Sequence, residues 1–134
     1  MFWKKKISVK NIFSIGSRGE DIAERFLKKK GYRILARNYK NSTGYCLGEI
    51  DIVAREEDTL VFVEVKTYKK TLRAHARPEE QITRAKLHKL NRVAQIYLAE
   101  SDRKDAPYRF DAVSVLLDPH NEQKEVRHLK NIFL

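Results

Sequence analysis

The stretch from Gly48 to Thr67, GEIDIVAREEDTLVFVEVKT, constrains the fold of this chain more than any other. Two apolar runs rich in β-branched residues flank the polar residues Glu56, Glu57, Asp58 and Thr59, which is the signature of a β-hairpin. Charge also falls inside the strands. Asp51 interrupts the first, and Glu64 and Lys66 interrupt the second, at positions where a strand seldom carries an ionisable group. A turn that closes symmetrically sets Arg55 across from Leu60, Val53 across from Phe62 and Asp51 across from Glu64. Residues opposed in this way share a sheet face, with Cβ atoms about 5 Å apart. Lys66, two positions beyond Glu64, lies on the same face because side chains alternate with period two. Two carboxylates and a lysine therefore converge on one patch.

Opposed carboxylates repel each other, and unpaired charge within a sheet is costly. A divalent cation between them removes both costs. Mg²⁺ takes oxygen ligands, commonly one or two carboxylates together with waters and phosphate. The lysine would then position or activate a water, or stabilise charge growing on a phosphate. The plainer alternative is a solvated strand face, on which the same register pairs Glu49 with Lys66, or a bulge separates Asp51 from Glu64. Against it stands the whole pattern: an aspartate, a strand-turn-strand of 12 intervening residues, then Glu-x-Lys.

Asp51…Glu64-Val65-Lys66 resembles the motif of the PD-(D/E)xK nuclease superfamily. A longer ordered set accompanies it. It comprises Gly16-Ser17-Arg18-Gly19-Glu20 with Ala23, Gly31-Tyr32-Arg33-Ile34-Leu35 with Arg37-Asn38, Gly48-Glu49-Ile50-Asp51, and Phe62-Val63-Glu64-Val65-Lys66-Thr67. Thr83 with Lys86, Arg109-Phe110-Asp111 and His128-Leu129-Lys130-Asn131 complete it. Over residues 14–134 this set resembles uncharacterised protein family 0102, the YraN type, which is similar to archaeal Holliday-junction resolvases. No proline precedes the aspartate, where this chain has Gly48-Glu49-Ile50. The resemblance implies a restriction-endonuclease-like core and a Mg²⁺ or Mn²⁺ site with Asp51 and Glu64 as ligands. It also implies Glu20 as a further catalytic carboxylate on the first helix, Lys66 as the catalytic lysine, and Lys86 near the scissile phosphate.

Charge points to the same class of partner. Lys and Arg number 28 against 18 Asp and Glu, a net +10. Such a balance favours a polyanion, nucleic acid before an anionic membrane surface. A single cysteine, Cys46, leaves no internal disulfide and no cysteine-based zinc site. No apolar run reaches transmembrane length, and Lys4-Lys5-Lys6 leads into no signal-peptide core, so a cytoplasmic protein without membrane attachment is expected.

Residues 1–15 read as a basic N-terminal arm, a frayed terminus, ahead of a single domain over 16–134. A helix is expected from Ser17, with Ser17 and Glu20 as a capping box, an apolar stripe at Ile22, Ala23, Phe26 and Leu27, and Gly31 as its stop. Glu20 thus has a structural explanation beside the catalytic one. A strand follows over Tyr32–Tyr39, then a polar loop, with Arg37, Lys40 and Tyr45 as groove candidates. After the hairpin, Tyr68 to Arg77 reads as a basic loop. A long helix from Pro78 or Thr83 to Glu100 has a buried stripe of Leu87, Leu90, Val93, Ala94, Tyr97 and Leu98 and a basic first half. Strands over Arg109–Leu117 and Glu125–Phe133 complete the domain, with Asp111 paired to Arg109 or a helix N-terminus rather than to metal.

This order of elements predicts an α/β domain, a mixed central β-sheet flanked by helices. The function expected is metal-dependent DNA hydrolysis by an endonuclease acting on branched or single-stranded regions in repair or recombination. Lys69, Lys70, Arg73, Arg77, Arg84, Lys86 and Lys89 would hold the phosphate backbone without reading sequence. Cleaving a junction would need two active sites, and hence a homodimer. The alternatives are a nucleic-acid-binding module that keeps the nuclease fold without the chemistry, and an interaction module that recruits other DNA-processing factors.

Overall fold

Helix α1 (Phe2–Lys29) is followed by strands β1 (Arg33–Lys40), β2 (Glu49–Glu56) and β3 (Thr59–Lys69). Helix α2 (Arg84–Glu100) then leads to β4 (Tyr108–Leu117) and β5 (Gln123–Leu129). The structure, a computed structural model, describes residues 2–41, 44–45, 47–69 and 83–132, with side chains described from Ile15 onward.

The strands form one five-stranded sheet in the order β1-β2-β3-β4-β5. Neighbours are antiparallel except β3 and β4, which run parallel. A parallel pair cannot be joined by a tight turn, and the segment between β3 and β4 carries α2. Helix α1 covers one face, where Ile22, Ala23 and Leu27 pack with Ile52, Val61, Val63, Val65 and Val113. Helix α2 covers the other, where Leu90, Val93, Ala94 and Leu98 pack with Val53, Leu60, Phe62 and Phe110. Covered on both faces, β3 and β4 are nearly continuous apolar runs rather than alternating ones. Against that background Glu64 and Asp111 stand out. The fold is α/β, a mixed sheet flanked by two helices, as the sequence predicts.

The hairpin register also follows the sequence. Arg55 pairs with Leu60 and Val53 with Phe62. The ladder closes one pair further, at Glu56 and Thr59, leaving only Glu57 and Asp58 in the turn. Thr83 caps α2, its side chain accepting from Lys86 N at 3.2 Å.

Helix α1 corrects the sequence expectation. It begins at Phe2, not Ser17, so Ser17 lies in its interior and the capping box does not form. Its end is as expected: Gly31 takes φ +94°, and Tyr32 N donates to Leu27 O at 3.0 Å. Gly19 is required by packing. A Cβ there would lie 1.7 Å from Thr67 Oγ1, so only a glycine lets α1 approach β3 this closely. Tyr68 and Lys69 belong to β3 instead of a loop, and the last strand is Gln123–Leu129, not Glu125–Phe133. Among the described residues no helix is long and apolar enough to cross a membrane.

Candidate active site

Asp51 and Glu64 occupy successive positions beyond the last ladder pair, Ile52 with Val63. There the ladder gives way to a side-chain bond. Asp51 Oδ2 accepts from Val65 N at 2.8 Å, so the carboxylate of β2 reaches the backbone of β3. Glu64 is buried, at 9 % exposure. Its Oε1 lies 3.5 Å from Lys66 Nζ and 3.8 Å from Lys86 Nζ. The N-cap at Thr83 fixes the start of α2, and Lys86 reaches Glu64 from the first turn of that helix. A cavity of about 330 Å³ opens here, lined by Asp51 and Glu64, by Gly48 and Glu49, and by Lys86, Lys89, Leu90 and Val93 of α2.

These charges are poorly balanced. Burial pushes the Asp51 carboxyl up, and the Glu64 carboxylate pushes it further. The Val65 N–H offsets part of this, Glu20 and Glu49 add to it, and the result is about 7. Burial alone would depress the Lys66 ammonium, but the carboxylates of Glu64 and Asp51 outweigh it and hold Lys66 above the usual lysine range. Lys86 is lowered by its cationic neighbour Lys66 and by burial. An all-oxygen pair of carboxylates that repel each other at the wall of a cavity fits a hard divalent cation, whose charge would hold Asp51 ionised.

Glu20 is placed differently. Its carboxylate accepts from Arg37 Nη2 at 3.2 Å. Arg37 also bonds Asp21 and Glu24, at 3.2 and 3.3 Å. With its amide oriented to satisfy both acceptors, Asn38 donates to Glu20 Oε1 at 3.0 Å and to Glu49 Oε1 at 2.7 Å. Asn38 adopts φ +53°, a left-handed conformation that asparagine tolerates better than most residues. Glu20 is thus tied to the rim of the cavity through Asn38. Among the described residues no three His, Cys, Asp or Glu side chains come close enough to hold a metal ion between them. The structure brings together Asp51, Glu64, Lys66 and Lys86, with Lys89 on the cavity wall.

Of the other basic residues, Lys69 ends β3 and Arg84 begins α2, while Lys70, Arg73 and Arg77 lie outside the described residues. Sequence reasoning missed Glu49 as a wall of the cavity. It pairs with Lys40 Nζ at 3.7 Å rather than with Lys66, so the ion pair of a plain solvated strand face is replaced. Asn38 was also missed. The available signal was its place in the Arg37-Asn38 pair, on the strand next to Asp51.

Asp111, fully buried on β4, belongs to a second charged cluster. Arg109 Nε donates to it at 3.0 Å, Asn131 N at 2.9 Å, and His128 Nε2 lies 2.8 Å away. The predicted pairing with Arg109 holds. His128 is an added partner that only the fold supplies.

A mixed sheet with a helix on each face, and Asp51 and Glu-x-Lys side by side on its two central hairpin strands, is an α/β fold with a restriction-endonuclease-like core. Residues 19–115 match the model of uncharacterised protein family UPF0102. A UPF0102 protein of Caldicellulosiruptor saccharolyticus is 43% identical over 119 residues, covering 89% of this chain and 96% of that one. One from Caldanaerobacter subterraneus is 40% identical over 130 residues, covering 96% and 99%. Another, from Nocardia farcinica, is 38% identical over 120 residues, covering 90% and 89%. The chain belongs to the UPF0102 family.

Proposed function

We propose that this protein is a metal-dependent DNA endonuclease that hydrolyses phosphodiester bonds in branched or otherwise structured DNA. The observation that carries the proposal is the Asp51–Glu64 pair, two carboxylates held together on the wall of a cavity, where Asp51 is driven up to about 7. A pair built only for stability would not be left repelling itself. Asp51 and Glu64 would hold Mg²⁺ or Mn²⁺, which when bound neutralises charge on the phosphate and lowers the pKa of water. Lys66 would orient the attacking water or stabilise the pentacovalent phosphate. Lys86, across the cavity, would bond a non-bridging phosphate oxygen. Lys89, on the cavity wall, would hold a neighbouring phosphate, as would Arg84, Lys69, Lys70, Arg73 and Arg77 along the DNA backbone. Glu20 would act from the rim, through Asn38. Cleaving both strands of a junction would require a second copy of the chain.

A nucleic-acid-binding module without chemistry is the second reading, favoured by Lys86 and Lys89 on the cavity wall, which would serve phosphate binding alone equally well. The test is incubation with labelled four-way-junction, flapped, single-stranded and duplex DNA in Mn²⁺, Mg²⁺ or EDTA, beside Asp51→Ala and Lys66→Ala. Cleavage that needs metal and disappears in both variants is the expected result. Salt-sensitive binding that is equal in all three proteins, with no cleavage, would move the conclusion to the binding module.

A further inference from the structure

Four large apolar side chains are exposed among the described residues, and one differs in degree. Ile15, Tyr108 and Leu129 lie between 37 % and 41 %, whereas Tyr45 is 87 % exposed. Tyr108 also has a partner, Gln95 Nε2, at 2.7 Å from its hydroxyl. An aromatic ring this exposed forgoes the burial that aromatic residues usually supply.

The backbone around Tyr45 is nevertheless held. Asn41 Nδ2 donates to Tyr45 O at 2.9 Å, and Asn41 Oδ1 accepts from Leu47 N at 3.2 Å. One side chain thus bonds the chain at Tyr45 and again two residues beyond. Gly44 precedes it at φ +75°, a conformation glycine adopts freely. Tyr45 therefore projects into solvent from a backbone that is held by a hydrogen bond at its own carbonyl.

Its position matters as much as its exposure. Gly48 and Glu49 line the cavity, and Gly48 follows Tyr45 by three residues. Three residues span at most about 11 Å of chain. Tyr45 is therefore within about 11 Å of the cavity wall at Gly48, a reach on the order of a few nucleotides along a strand entering the cavity. The walls of that cavity carry Lys86 and Lys89, which suit the phosphate backbone, while Tyr45 offers an uncharged π-face. Aromatic faces beside basic grooves bind bases that are free to leave their stack, and every base has such a face. A base within continuous duplex is stacked on both sides and has none to offer.

We infer that Tyr45 is a stacking platform for an unpaired base next to the phosphate held at Asp51 and Glu64, and that it selects DNA with unpaired nucleotides over continuous duplex. The inference rests on the endonuclease proposal and narrows its substrate class.

The test is fluorescence anisotropy in EDTA, so that nothing is cleaved, with wild type, Tyr45→Ala and Tyr45→Phe. The probes are a labelled single strand, a duplex with a single-stranded flap, and a blunt duplex. Tyr45→Ala is expected to weaken binding of the first two by roughly tenfold and to leave the blunt duplex within about twofold, while Tyr45→Phe, which keeps the ring, stays near wild type. Unchanged binding of all three probes by Tyr45→Ala would overturn the inference. So would equal weakening on all three, or a loss in Tyr45→Phe equal to that in Tyr45→Ala. In each of those cases metal-dependent cleavage would keep the endonuclease proposal intact. Failure of the wild type to bind any probe would also overturn the inference, whereas the endonuclease proposal stands or falls on cleavage in Mn²⁺ or Mg²⁺.

Discussion

Two aspartates on one sheet, Asp111 buried and Asp51 half-buried, have opposite surroundings. Asp111 on β4 accepts from Arg109 Nε and Nη2, from Asn131 N, and has His128 Nε2 at 2.8 Å. Arg109 itself is satisfied further by Glu56 and Tyr32, at 2.9 and 2.8 Å. Asp51 on β2 accepts one bond from Val65 N and faces Glu64. Burial raises both carboxyls, but at Asp111 the bonds from His128, Arg109 and Asn131 win and hold it below the usual range. At Asp51 nothing of that strength opposes burial and Glu64, and it rises to about 7. The difference separates a carboxylate that holds the fold from one held in readiness for a partner. A fold can afford the second only because clusters like the first tie its other strands and termini together.

Breaking the satisfied cluster should have the largest effect. Asp111→Ala leaves the Arg109 guanidinium and His128 without their central acceptor and should cost about 3–5 kcal/mol in urea unfolding. A loss under about 1 kcal/mol would show that the network contributes little net stability.

Asp51→Asn should act in the other direction. Asparagine keeps an oxygen for Val65 N but carries no charge, so at pH 8 the variant should be more stable than wild type by about 1–3 kcal/mol. A destabilised variant at that pH would contradict the repulsion assigned to the Asp51–Glu64 pair.

The two aspartates should also divide the pH profile. The folded Asp51 carboxyl titrates above its unfolded value of 3.8, so its stabilising contribution is complete below that value and is lost as pH rises toward about 7. Asp111 titrates below its unfolded value, so its contribution is present above about pH 4 and is lost as pH falls through its lowered folded value. Urea midpoints measured from pH 3 to 8 should therefore show Asp51→Asn flattening the limb between about 4 and 7 and leaving the acid limb in place.

The smallest effect is expected at Lys86. Partly exposed and shared between Glu64 and Lys66, it should cost under about 1 kcal/mol on truncation to alanine. DNA affinity should fall alongside, with the slope of log affinity against log salt reduced by about 1.

The hairpin and its register were legible because both depend on residues close in sequence: alternation, a polar turn and charges at fixed offsets. Asp51, Glu64 and Lys66 followed from that register alone. Helix α2 was legible for the same reason, since Thr83 caps it locally and its apolar stripe repeats at helical spacing. What failed was nonlocal or ambiguous. Ser17-Arg18-Gly19-Glu20 reads as a helix start, with glycines on both sides of Arg18 and Ser17 to discourage helix, yet α1 runs through it. Gly19 is there for Thr67, nearly fifty residues on, and no local pattern encodes that approach. Glu20 was singled out, but the groups that hold it, Arg37 and Asn38, come from β1. His128 reaches Asp111 only because β5 pairs with β4.

The central claim is that Asp51 and Glu64 are kept together to bind a divalent cation. Titration of the protein with Mn²⁺ at pH 8, followed by calorimetry in wild type and Asp51→Asn, tests it most directly. One Mn²⁺ per chain in wild type, and none in a variant that is folded and more stable, is the predicted result. Equal Mn²⁺ binding by both proteins, or no binding by wild type, would contradict it.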